Sequence, residues 1–141
     1  MADTLSESQI HDLSASARGA SEHAYAPYSK FRVGAAILTE EGEIFSGCNV
    51  ENASYGLTIC AERNAVFKAA AAGKRTVIAV AVYTPTASPT APCGACRQVL
   101  NEFGPDARVF CFCDGPGTIE ASLAELLPNA FGPKNLEDAH G

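Results

Sequence analysis

The sequence lacks any apolar run approaching the ~20 residues of a membrane-spanning helix, so no membrane segment is expected. It is also short of positive charge. Ten Lys and Arg stand against 16 Asp and Glu, for a formal net charge of -6, and Lys74-Arg75 is the only adjacent basic pair. A polynucleotide partner needs a basic footprint to neutralise phosphates, and none is present. A neutral small molecule is compatible. The N-terminal "MADTLSESQIHDL" lacks the basic and apolar regions of a secretory signal, so the cytoplasm is the expected compartment. Internal repeats, low-complexity tracts and linkers are absent. The expectation is one domain over residues 1–141, with flexible ends at about 1–5 and 134–141. Histidine is scarce: His11, His23 and His140 are dispersed, and their spacing supplies no metal ligand.

What is present in quantity is apolar side chain, 47% of residues, enough for a core. Residues 4–24 carry Leu5, Ile10, Leu13 and Ala17 at roughly helical spacing, with "TLSE" and "SESQ" as alternative capping boxes. "APYS" is a turn. "FRVGAAILT" and "EIFSGCNV" read as two strands of a hairpin joined at Glu41-Gly42. A helix is expected from about Cys60 to Ala72, capped by Thr58 or a neighbour and stopped at Gly73. "TVIAVAVYT" is an almost continuous β-rich run, the pattern of a strand buried on both faces. A third helix is expected to begin at Pro92 and run to about Phe103. "ARVFCFC" and a short stretch around Thr118-Ile119 complete the strands. "SLAELL" reads as a helix with Ser122 and Glu125 as its capping box. The remainder, "LPNAFGPKNLEDAHG", has too few apolar residues to fold alone. This order gives an α/β fold, a three-layer α/β/α sandwich around a mixed five-stranded sheet.

Six cysteines are present: Cys48, Cys60, Cys93, Cys96, Cys111 and Cys113. In a reducing compartment clustered thiols read as metal ligands or catalysts. Cys93 and Cys96 are three apart, so both sulfurs face one way and reach one tetrahedral ion. Cys60 opens the other helix in the same manner. The free N–H groups and positive dipole end of each helix favour thiolate. Three protein ligands leave one position open to water, which marks a catalytic zinc. Glu62, in the first turn after Cys60, is placed to exchange that water's proton. Arg63 could donate to the thiolates and withdraw charge, or simply face solvent. Two bland readings stay open: a closed four-thiol site completed by Cys48, Cys111 or Cys113, and a redox CxxC pair. Those three cysteines otherwise read as buried strand residues.

"CAE" followed by "PCGAC" matches the zinc-deaminase signature in its three-cysteine form. Together with "YAPYSKFRVGAAI", "GCNVENASYGLTICAERNAVFKA", "PCGACRQVLNEFG" and "ELLPNAFGP", it makes the chain resemble the small, homotetrameric, zinc-dependent cytidine deaminases over roughly residues 20–133. That resemblance implies hydrolysis of cytidine and deoxycytidine to the uracil nucleosides, with ammonia released. It implies one zinc per subunit on Cys60, Cys93 and Cys96, with Glu62 as proton shuttle. The Ala61 N–H would bind the base carbonyl and Phe31 would stack on the pyrimidine. Asn49 and Glu51 would hydrogen-bond the sugar hydroxyls. Ala53, Tyr55 and Phe131 would come from neighbouring subunits. One departure is Ala91 where the family usually has Ser; the backbone carbonyl used there is retained. Read without the resemblance, Phe31 could be a core aromatic, Asn49 a turn cap, Glu51 a solvated acid, and Tyr55 and Phe131 packing residues. Other functions that remain are deamination of a related aminated nucleoside such as blasticidin S, and a non-catalytic zinc-stabilised scaffold.

Overall fold

The computed structural model describes residues 5–140. The fold is organised by β3 (Val77–Tyr83), which lies in the middle of a five-stranded sheet of order β2-β1-β3-β4-β5. β1 (Gly34–Thr39) and β2 (Ile44–Cys48) form the antiparallel hairpin, and β1 pairs antiparallel with β3. β4 (Arg108–Phe112) runs parallel to β3, and β5 (Ile119–Ser122) returns antiparallel along β4. The sheet is therefore mixed, as the sequence implied. Burial of β3 on both faces explains its unbroken apolar run.

Each face is covered. Helix α1 (Glu7–Ser21) lays Leu13 and Ala17 on Ala36, Leu38, Ala79 and Ala81. On the other face, Ile37, Val80, Val82 and Val109 meet α2 (Ala61–Ala71), α3 (Gly94–Phe103) and α4 (Leu123–Leu126). These helices contribute Ala65, Val66, Leu100 and Leu123, so the layers are α/β/α. Small residues set the spacing. A Cβ on Gly47 of β2 would stand 2.6 Å from the Ala65 nitrogen and 2.7 Å from the Ala61 oxygen. Only glycine lets α2 settle this closely on the hairpin, and that contact fixes where the helix begins.

The caps decide the element ends. The Ser6 hydroxyl accepts from the Gln9 N–H and the Gln9 side chain accepts from the Ser6 N–H, so "SESQ" is the box in use; Thr4 of "TLSE" lies outside the described residues, as do positions 1–3 of the N-terminal end. Ser122 and Glu125 form the expected second box. Three expectations need correction. Helix α3 starts at Gly94 rather than at Pro92, with Cys93 as N-cap. Cys60, not Thr58, caps α2; Thr58 ends a 3-10 turn over Tyr55–Leu57. Strand β1 begins at Gly34, leaving residues 31–33 outside it. The segment 134–141, expected as a flexible end, carries α5 (Pro133–His140) among its described residues, with Pro at its first position. Its Leu136 is exposed.

Candidate active site

Two helix starts meet at one end of the sheet. The N-caps of α2 and α3 are Cys60 and Cys93, both with extended backbone, and Cys96 lies in the first turn of α3. The Sγ atoms of Cys60, Cys93 and Cys96 all lie within 4.8 Å of one another. Cys60 and Cys93 are 3.9 Å apart. Zn–S bonds of about 2.3 Å in a tetrahedron place sulfur pairs about 3.8 Å apart, so the three residues fit a zinc ion. Cys48, Cys111 and Cys113 are not in this group. Cys111 is buried in β4, where desolvation pushes its thiol up to about 12. Cys113 points its sulfur at the carbonyls of Ala87, Gly115 and Gly117.

The local charge balance follows from contacts. The Cys60 thiol is held down to about 5, first by the hydrogen bond from Cys96 and then by Arg63. Cys96 moves up for the same reason, because it is the donor of that pair. Arg63 Nη2 donates to Cys60 Sγ at 3.3 Å, and the same bond raises the Arg63 pKa. The guanidinium therefore sits where it offsets thiolate charge. Glu62 is only 5% exposed. Burial, with the nearby Cys60 charge adding to it, pushes its carboxyl up to about 7.

A cavity of about 200 Å³ opens onto this cluster. It brings Phe31, Asn49, Glu51, Ala61 and Glu62 together with Cys60 and Cys93. Ala61 is the first residue of α2, where backbone N–H groups have no helical acceptor. Asn49, just past β2, ties down the segment before β1 with its side chain: Oδ1 accepts from the Val33 N–H at 2.9 Å and Nδ2 donates to the Phe31 carbonyl at 2.7 Å. Residues 31–33 are thus held by a side chain where the β-ladder has ended. Glu51 accepts from the backbone N–H groups of Tyr28 and Ser29 and from the Ser29 hydroxyl, and these bonds, the Ser29 hydroxyl first, lower its pKa.

Ala53, Tyr55 and Phe131 lie outside this cavity and are exposed, Tyr55 at 75% and Phe131 at 58%. Tyr55 lines a neighbouring cleft of about 340 Å³ with Tyr28, Ser29, Glu51 and Thr58. The Phe131 carbonyl accepts from Gln98 at 2.7 Å, which pins this aromatic beside α3. Sequence reasoning missed Ser29, Thr58 and Thr90 as cavity residues. It also missed Arg97, which donates to the Pro92 carbonyl at 2.7 Å and to Leu126 at 2.8 Å. The "APYS" turn was the one available signal for Ser29.

Three helix-start thiols over a buried carboxylate, on a mixed five-stranded sheet, define a zinc-dependent hydrolytic deaminase of the nucleoside and nucleotide class. The family model "Cytidine and deoxycytidylate deaminase zinc-binding region" matches residues 7–113, and the chain belongs to that family. It is 50% identical over 120 residues to the cytidine deaminase of Halalkalibacterium halodurans, covering 84% of this chain and 91% of that protein. It is 44% identical over 124 residues to the cytidine deaminase of Mycobacterium tuberculosis, covering 88% and 90%. The crystal structure of cytidine deaminase from Burkholderia pseudomallei superposes with a TM-score of 0.83 at 50% identity, covering 90% of this chain and all of that one.

Proposed function

We propose that this protein hydrolyses cytidine and deoxycytidine to uridine and deoxyuridine, releasing ammonia. One observation carries the reading: a buried carboxylate, Glu62, lines one cavity of about 200 Å³ with two thiols of a three-thiol cluster. Zinc bound to Cys60, Cys93 and Cys96 would lower the pKa of water and so supply a nucleophile at neutral pH. Glu62 takes the proton released from water and transfers it to ring N3 as C4 is attacked; it then takes the proton of the new C4 hydroxyl and delivers it to the departing amine, so that the C4–N bond breaks as the carbonyl forms. Without protonation at N3, negative charge would build on the pyrimidine. Its raised pKa suits a group that must both accept and donate near neutrality. The Ala61 N–H holds the base carbonyl, the Ala91 carbonyl accepts from the amine, and Phe31 stacks on the ring. Asn49 and Glu51 bind sugar hydroxyls; both are held in place by backbone contacts, which supports a preorganised subsite. Arg63 moderates the charge of the thiolates.

Ala53, Tyr55 and Phe131 act on a neighbouring subunit's site in a homotetramer. Their exposure, and their place outside the lining of the chain's own cavity, support this. The chain is read as one domain that works in pyrimidine salvage in the cytoplasm. No helix among the described residues is long and apolar enough to cross a membrane.

An ultraviolet assay tests the reading with cytidine, deoxycytidine, cytosine, CMP and blasticidin S, and with tetrahydrouridine as inhibitor. Turnover of the first two, weak or no turnover of the rest, and inhibition by the hydrated-base mimic are expected. Turnover of blasticidin S alone would move the chain to the aminated-antibiotic branch. No turnover of any substrate by protein carrying one zinc per chain would leave a scaffold.

A further inference from the structure

The geometry points to Ser29 as a positioning residue for the sugar-facing carboxylate, acting through Glu51. The inference rests on the reading of Glu51 as a sugar-binding residue. The Ser29 hydroxyl donates to Glu51 Oε2, and the Tyr28 and Ser29 N–H groups donate to Glu51 Oε1 at 3.0 and 3.1 Å. Two successive N–H groups aimed at one oxygen form a small anion nest. The same Ser29 oxygen accepts from the Phe31 N–H at 3.0 Å. One hydroxyl therefore joins the carboxylate to the residue that carries the base-facing ring.

The turn is shaped for this. Lys30 has φ 62, a left-handed conformation that a non-glycine residue adopts at a cost, and its N–H donates to the Ala26 carbonyl at 3.0 Å. The closed turn directs both N–H groups of residues 28 and 29 to one side. Proton counting then limits Glu51. A carboxylate has about four acceptor sites, and three are taken by the turn. One remains for a ligand, on the oxygen that Ser29 holds. Glu51 is thus fixed as an ionised acceptor for a single sugar hydroxyl, and Ser29 sets where that lone pair points.

The test is a double-mutant cycle on Ser29→Ala and Glu51→Gln, read as kcat and KM for cytidine and for 2′,3′-dideoxycytidine, which lacks the 2′ and 3′ hydroxyls and keeps only the 5′ one. Ser29→Ala is expected to raise KM for cytidine about tenfold with kcat within about twofold, as loss of one charge-assisted hydrogen bond predicts. Dideoxycytidine should change by less than about twofold, because the exposed Phe31 N–H turns to water. The double variant should be no worse than Glu51→Gln alone, because the effect of Ser29 passes through the carboxylate. Ser29→Thr, which keeps the hydroxyl, should restore cytidine KM. Ser29→Cys replaces the alanine variant should that fail to fold. Equal losses on both substrates, or additive losses in the cycle, overturn the role of Ser29 and leave the Glu51 reading standing. An unchanged preference for cytidine over dideoxycytidine in Glu51→Gln overturns both.

Discussion

The two ends of the cavity are built differently. The metal end stands on helix starts: Cys60, Ala61, Glu62 and Arg63 open α2, and Cys93 and Cys96 open α3. The proposed sugar end stands on loops. Phe31, Asn49 and Glu51 lie outside regular strands and are held by side-chain-to-backbone hydrogen bonds. A helix start fixes several groups from one packing contact, so the metal end follows from local sequence. A loop needs a separate partner for each group, so the sugar end follows only from long-range contacts. The difference also sorts the work. Chemistry needs rigid placement at one point, whereas sugar recognition spreads over several modest hydrogen bonds.

The largest effects are expected at the metal end. Cys96→Ala removes one of three ligands and a fully buried thiol. Zinc content by plasma emission should fall from about one per chain towards none, and turnover with it. Retention of stoichiometric zinc with full activity would show that the three-thiol site is not the catalytic one. Glu62→Gln should keep zinc and fold and lose about 10³–10⁴-fold in kcat, the range for a general acid–base group. A variant with normal turnover would remove Glu62 as the shuttle and with it the sharpest contrast between the two ends.

A smaller effect is expected at the sugar end. Asn49 is 8% exposed and its amide joins the Val33 N–H to the Phe31 carbonyl. Asn49→Ala leaves both backbone groups without a partner, costing about 1–3 kcal/mol of stability. The KM for cytidine should rise by about tenfold or more while kcat changes little, because the lost interaction binds ground state and transition state alike. If kcat fell as steeply as in Glu62→Gln, the separation of chemistry from recognition would fail.

The sequence carried the metal end because its spacing is local: CAE and PCGAC are read directly, and a helix start explains each residue type. It carried the sheet because β3 is an unbroken apolar run and the hairpin turns at Gly42, which has φ 92. It did not carry the start of α3, because Pro92 suits a first helical position yet Cys93 takes the cap, its sulfur accepting from the Cys96 N–H at 3.5 Å. Nor did it carry the end of β1. Apolar alternation continues through Phe31 and Val33, but the partner there is the Asn49 side chain, which no periodicity reveals. The roles of Ser29 and Arg97 were hidden for the same reason: each bonds to a residue more than 20 positions away.

The smallest effect is expected on the opposite face of the sheet, where α1 packs and no cavity residue of the active site lies. Tyr83 ends β3, and its hydroxyl bonds to the Asp114 carboxylate. The Arg18 guanidinium sits 4.5 Å from the ring centroid and 3.7 Å from Asp114. Tyr83→Phe keeps the ring, and with it most of the contact to Arg18, and removes only the hydroxyl. The backbone bond from Asp114 N–H to the Thr86 carbonyl, 2.9 Å, does not involve the side chain, so the loop that leads to Thr90 and Cys93 keeps its anchor. Loss of one partly buried hydrogen bond should cost about 1 kcal/mol, a shift of a few degrees in thermal midpoint for a domain of this size. The kcat and KM for cytidine should stay within about twofold of the parent. A drop in kcat here would mean that the sheet transmits strain from α1 to the helix starts, and the metal end could no longer be treated as fixed by its two helices alone.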